Sequence, residues 1–150
     1  MKGDVMKTKI MRIVAFLLTF SVILSASVMV SASNSDKTVL PLASSYIASV
    51  GASISGSDGT ITVSFDIFGT GKMSSIGATK VQIKNSNGTT VKTFYSSSTA
   101  DMIGYNRISY ASSVSYPGTV GQKYYAVVYF KAANSSGSDT TSYTTGYATA

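Results

Sequence analysis

Residues 124–132 read Tyr-Tyr-Ala-Val-Val-Tyr-Phe-Lys-Ala, and no other stretch constrains the fold as tightly. Nearly every position is aromatic or β-branched, a composition that fits a pleated and largely buried surface. Pro117-Gly118-Thr119 punctuates the run on one side and Asn134-Ser135-Ser136-Gly137 on the other. A chain organised around such a segment needs a sheet in which this strand is central.

The flanking sequence supplies that sheet. From Tyr46 a two-residue period puts Tyr46, Ala48, Val50, Ala52 and Ile54 on one face, with Ile47, Ser49, Gly51 and Ser53 on the other. Ser55-Gly56-Ser57-Asp58-Gly59 then turns the chain, Asp-Gly being a favoured hairpin pair. Ile61, Val63, Phe65 and Ile67 face inward from the next strand, while Thr60, Thr62, Ser64 and Asp66 face water. Gly69-Thr70-Gly71-Lys72 reads as the end of it. A further strand spans Ile76 to Lys84, with Lys80, Gln82 and Lys84 outward, and Asn85-Ser86-Asn87-Gly88 returns it as a hairpin to Thr90–Tyr95. Ser96 to Asn106 reads as a loop in which Met102 and Ile103 form either a helical turn or a plug for the core. Ile108, Tyr110, Ser112, Val114 and Tyr116 alternate again up to Pro117, and Asp139 to Tyr147 reads as a polar, Thr-rich edge strand.

Seven strands with turns about every eight to twelve residues predict an all-β fold, a seven-stranded Greek-key β-sandwich, over residues 45–150. Residues 33–44 read as a linker or N-terminal edge, because Pro41 cannot occupy a central ladder position.

Residues 1–32 have the pattern of a secretory signal peptide. Lys2, Lys7, Lys9 and Arg12 form a basic head, Ile13 to Val30 carries no charge, and Ser31-Ala32-Ser33 is a small-residue exit. Cleavage is expected after Ala32, giving a secreted, extracellular chain. Retention of the apolar segment as an anchor and initiation at Met6 rather than Met1 both stay open. The whole chain has a net charge of +6, but the leader holds four of the basic residues and Asp4, which leaves +3. The remaining Lys and Arg are scattered, so nucleic acid is not an expected partner. No membrane association is expected once the leader is removed.

Side-chain chemistry is sparse. The sequence contains no His, Glu, Cys or Trp. That removes Ser-His-Asp and Cys-His nucleophilic systems and every imidazole or thiolate metal site. No catalytic residue, cofactor site or metal site is therefore assigned, and the chain reads as non-enzymatic. Asp139, near the carbonyls of residues 134–137, is the one place for a hard cation, although an Asp in a turn sequence commonly caps the local backbone. The ten tyrosines are the other chemical resource. Tyr125, Tyr129, Tyr143 and Tyr147 are expected to share one outward face if the central and last strands pair, and such a face could hold a sugar or a peptide. Cross-strand stabilisation is the alternative role for them.

Two resemblances add to this reading. Tyr116-Pro117-Gly118-Thr119 followed by residues 124–132 resembles the penultimate-strand region of fibronectin type III and related immunoglobulin-like domains. The resemblance implies that Tyr124 is a structural tyrosine corner whose hydroxyl bonds back to the backbone. Ala126, Val128, Phe130 and Ala132 would then face the core. Val120-Gly121-Gln122-Lys123 lengthens the family's turn, and Phe65 stands where its tryptophan is expected. Residues 76–79, 104–109, 123–126 and 136–139 are similar to a family of small exported proteins of Gram-positive bacteria with no assigned function. Three functions remain in competition: a secreted binding or interaction module for a cell-wall glycan or an extracellular protein, a carbohydrate-binding protein using the tyrosine face, and a structural subunit pairing through its last strand.

Overall fold

The computed structural model describes residues 39–41 and 44–150. The expected signal peptide and most of residues 33–44 lie outside the described residues. Among the described residues eight strands run in the order β1 (Val39–Pro41), β2 (Ile47–Ser57), β3 (Thr60–Asn85), β4 (Thr90–Tyr95), β5 (Ile103–Pro117), β6 (Lys123–Asn134), β7 (Gly137–Thr144) and β8 (Ala148–Thr149). Every pairing is antiparallel. Among the described residues no helix is long and apolar enough to cross a membrane.

β3 organises the sheet. Its first part, Thr60 to Phe68, lies between β2 and the Ser109–Pro117 part of β5. Its second part, Ser75 to Asn85, has β6 on one side and, on the other, β4 together with the start of β5. β1 extends the first group beyond β2, and β7 extends the second beyond β6. The inner sides of the two groups meet, so that the Phe65 ring stands edge-on to Phe130 at 6.3 Å between centroids. Such an aromatic pair contributes about 0.5–1.5 kcal/mol beyond the area it buries. The fold is all-β and antiparallel, consistent with a β-sandwich, and the two groups are called here the first and second layers.

The alternation of apolar residues explains the core. Ile61, Val63, Phe65 and Ile67 are buried from the first part of β3, and Ala78, Val81 and Ile83 from the second. β6 contributes Tyr124, Ala126, Val128, Phe130 and Ala132, all buried. Asp58 and Gly59 both have positive φ, 50° and 76°, as a two-residue hairpin between strands of right-handed twist requires.

Four departures from the expected pattern have local causes. The strand expected to stop at Gly69-Thr70-Gly71-Lys72 continues through it, so the second and third expected strands are one. A Cβ on Gly69 would lie 3.0 Å from the Gly71 carbonyl oxygen and from Met73, and glycine lets the strand bend there between layers. In β2, Ile47 is opposite Gly69 and Ser49 opposite Phe68, leaving Ala48 as an extra residue. This bulge buries Ile47 and exposes Ala48, the reverse of the expected facing. In β5, the pairing shifts around Ile108 next to Asn106 at φ 55°, and Ile108 is exposed. Asp66, expected to face water, is only 6% exposed, with Gly51 and Ala111 as its cross-strand neighbours. Met102 acts as a plug: it is buried, in the turn preceding β5.

Candidate functional site

Directly opposed residues of an antiparallel pair point to the same side of the sheet. The register therefore writes out the outer face of the second layer row by row. One row is Tyr95, Lys80, Tyr129 and Ser142 across β4, β3, β6 and β7. The next is Thr93, Gln82, Val127 and Thr144, and beyond it Lys84 stands opposite Tyr125. In the other direction come Ile103, Gly77, Lys131 and Thr140, then Tyr105, Ser75, Ala133 and Ser138.

Long polar side chains hold one another across these rows. The Lys80 ammonium lies 3.9 Å from the centroid of the Tyr129 ring, a cation–π contact. The Tyr129 hydroxyl donates to Gln82 Oε1 at 3.2 Å. Lys84 Nζ donates to Thr90 Oγ1 at 2.8 Å and to the Gly88 carbonyl at 3.3 Å. Tyr147 follows β7 and packs edge-on against Tyr125, with centroids 5.3 Å apart. Thr79 is an extra residue in β3, since Ala78 is opposite Phe130 and Lys80 opposite Tyr129. Beside that bulge lies an open depression of about 510 Å³ lined by Thr79, Tyr129, Phe130 and residues 140–142.

Three of the four tyrosines expected on this face are there. Tyr125 and Tyr129 project from β6, and Tyr147 joins them through its contact with Tyr125. Tyr143 is not on the face. It is opposite Val128, a fully buried residue, and packs against the core. The expectation assumed that all four tyrosines shared one parity, but the β6–β7 register puts Ser142 and Thr144 outward instead. Tyr95 and Tyr105 are further outward tyrosines, beyond the four expected, at 52% and 66% exposure. The signal for Tyr95 was available, because the Asn85–Gly88 turn sets the β3–β4 pairing that brings it opposite Lys80.

Tyr124, one residue from Tyr125, turns the other way. It is buried against Tyr116, and its hydroxyl accepts from the Thr119 backbone N–H and donates to Gln122 Oε1, both at 3.0 Å. Phe65 and Phe130 are likewise buried.

Asp139 is held by donors from the segment that leads into β2. It lies in β7, where it accepts from the Ser44 hydroxyl and, at 2.9 Å, from the Tyr46 backbone N–H. Ser44 Oγ in turn accepts from the Ile47 N–H at 2.9 Å. The Ser44 hydrogen bond foremost, then those from the Tyr46 and Ser45 backbone, hold the Asp139 carboxyl below the usual aspartate value, against a smaller opposing effect of desolvation. This carboxylate ties the start of β2 to β7. Among the described residues no cluster of three or more Asp, Glu, His or Cys could hold a metal ion.

Compared with family models, curated proteins and solved structures, the chain matches none.

Proposed function

We propose that this chain is an exported, non-enzymatic binding module on an immunoglobulin-like, fibronectin type III-like Greek-key sandwich, and that it holds its partner on the outer face of the second layer. The observation that carries this reading is the collection of Tyr95, Tyr105, Tyr125, Tyr129 and Tyr147 with Lys80, Lys84 and Lys131 on one side of one layer. Tyrosine offers large, rigid, amphipathic contact area at low entropic cost, which suits binding surfaces. The bond from the Thr119 backbone to the Tyr124 hydroxyl supports the immunoglobulin-like part of the proposal. Export rests on the basic head and apolar run of residues 1–32, and the absence of His, Cys and Glu supports a role without catalysis.

Within this reading a carbohydrate of the cell wall is the favoured partner, since hydroxyl and amide groups alternate with the aromatic ones along the rows. Purified protein should be retained on insoluble cell-wall glycan. Tyr125→Ala should weaken that retention with the fold intact, the melt falling only by the loss of the Tyr147 ring contact. Retention indifferent to Tyr125→Ala and Tyr129→Ala would remove the face from consideration.

A structural subunit is the second reading, favoured by β7. Among the described strands it pairs only with β6, and it contains neither Pro nor Lys, the usual guards of an exposed edge. A concentration-dependent oligomer that Thr141→Pro abolishes would support this role.

A further inference from the structure

We propose that the occupant of the second layer's outer face is a linear glycan carrying anionic groups, carboxylate or phosphate, laid along the strand direction. This rests on the face assigned above and names the chemistry it reads.

Charge is the first observation. Lys80, Lys84 and Lys131 all point outward from this layer. The described acids lie elsewhere: Asp58 in the β2–β3 turn, Asp66 in the first layer, Asp101 in the β4–β5 turn and Asp139 opposite Ala132 on the inner side. The ladder is therefore cationic without an interleaved carboxylate.

Placement is the second. Lys80 and Lys84 are four residues apart on β3, and Lys131 on β6 is opposite Gly77. At a rise of about 3.3 Å per residue the three cations form a line of roughly 20 Å parallel to the strands. A compact anion would engage one of them, whereas an extended polyanion meets all three.

The third observation is how the cations are held. The Tyr129 ring orders Lys80, and Thr90 with the Gly88 carbonyl orders Lys84. Neither arrangement neutralises the charge, and an ammonium has three donors, so each keeps hydrogen-bonding capacity for a ligand. Ordering these chains before binding lowers the cost of association. Between the cations stand Gln82, Thr93 and Thr144, neutral groups suited to sugar hydroxyls. The depression beside Tyr129 and residues 140–142 offers room for a ring between Lys80 and Lys131. Single-stranded nucleic acid asks instead for open aromatic platforms, and here Lys80 covers Tyr129 while Tyr147 packs against Tyr125.

The test uses two matched pairs of immobilised polymers: polygalacturonate against its methyl-esterified form, and phosphomannan against unphosphorylated mannan. At least one charged polymer should retain the full chain about tenfold more tightly than its neutral counterpart, with affinity falling as salt rises. Whether polygalacturonate or phosphomannan binds identifies the anion. The triple variant Lys80→Gln, Lys84→Gln, Lys131→Gln should melt as the parent does and bind about tenfold more weakly, as expected for the loss of three exposed ion pairs. Equal retention on charged and neutral polymers would overturn the anionic inference and leave the glycan-binding face standing. Displacement by inorganic polyphosphate as effective as by the charged glycan that binds would show that charge alone is read, which overturns the glycan. Tight binding unaffected by both the triple variant and Tyr125→Ala would reject the face itself.

Discussion

The outer sides of the two layers share two strands, β3 and β5, and little else. Where β3 crosses the first layer, its outward neighbours form rows such as Ser55, Thr62 and Ser115, or Ser53, Ser64 and Ser113. Short hydroxyl side chains dominate, and the Thr62 and Ser115 hydroxyls are 3.1 Å apart. Across the second layer the same strand shows Lys80, Gln82 and Lys84 among tyrosines. The inner sides do not differ in this way, for both are lined by Ile, Val, Ala and Phe. Burial thus dictates the inner residues of both layers and leaves the outer ones free. The first layer fills its free positions with side chains that lose little rotamer entropy on folding. The second fills them with lysines, whose ordering costs up to about 2 kcal/mol each. Such a face is costly if folding is all it serves.

The comparison can be broken at its shared part first. Phe65→Ala in the first layer and Phe130→Ala in the second should each cost about 3–5 kcal/mol in denaturant unfolding, since each opens a cavity at the same ring contact. A cost below about 1 kcal/mol for either would mean that the layers do not share a core.

Inner and outer sides of the second layer are contrasted by adjacent residues. Tyr124→Phe leaves the Thr119 N–H and Gln122 without their hydroxyl partner and should cost about 1 kcal/mol. Tyr125→Phe should be nearly neutral in the same thermal melts, and the opposite ranking would exchange the two faces.

Asp139 joins β7 of the second layer to the start of β2 in the first, and its effect depends on pH. Its pKa is depressed in the folded state, so its contribution is present above the unfolded value near 3.8 and is lost as pH falls through the lower folded value. Asp139→Asn should therefore destabilise at neutral pH, and the difference from the parent should shrink in acid melts below about pH 3.8. A difference constant from pH 7 to pH 2 would mean that the tie is not made by the carboxylate.

The smallest effects belong to the first layer's outer side. Ser53→Ala and Ser64→Ala should change stability by less than about 0.5 kcal/mol and leave glycan retention untouched. A clear loss of retention would move the binding surface to that layer.

Much of this arrangement was legible residue by residue, up to the places where strands are irregular. Ile61, Val63, Phe65 and Ile67 announce their side because an uninterrupted period of two has only one burial solution. Ile47 and Ala48 were read in reverse because one inserted residue exchanges every face beyond it, and nothing in a short Ala/Ser/Val segment marks the insertion. Gly69-Thr70-Gly71 looked like a stop because glycine punctuates loops and strand bends alike. Tyr125 and Tyr129 were placed together by their own spacing, whereas Tyr143 depended on the offset between two strands. That offset is set locally by the hairpin: the two-residue turn at Ser135–Ser136 pairs Asn134 with Gly137 and so sets Tyr143 opposite Val128, a register that depends on the exact length of the turn.

The unbroken course of β3 also bears on how the molecule opens. Its backbone is bonded along its length to β2, β4, β5 and β6, so neither layer holds a full set of ladder bonds without it. Sub-global unfolding, which in many domains releases one supersecondary unit at a time, has no seam to follow here. Amide hydrogens at Val63 and Ile83, one in each layer, should exchange through the same global event and with the same free energy. Pairings such as Thr60 with Pro117 and Asn85 with Tyr124 also close long loops, which puts folding in the slow, millisecond-to-second regime of non-local β topologies. Both layers form late, and they form together.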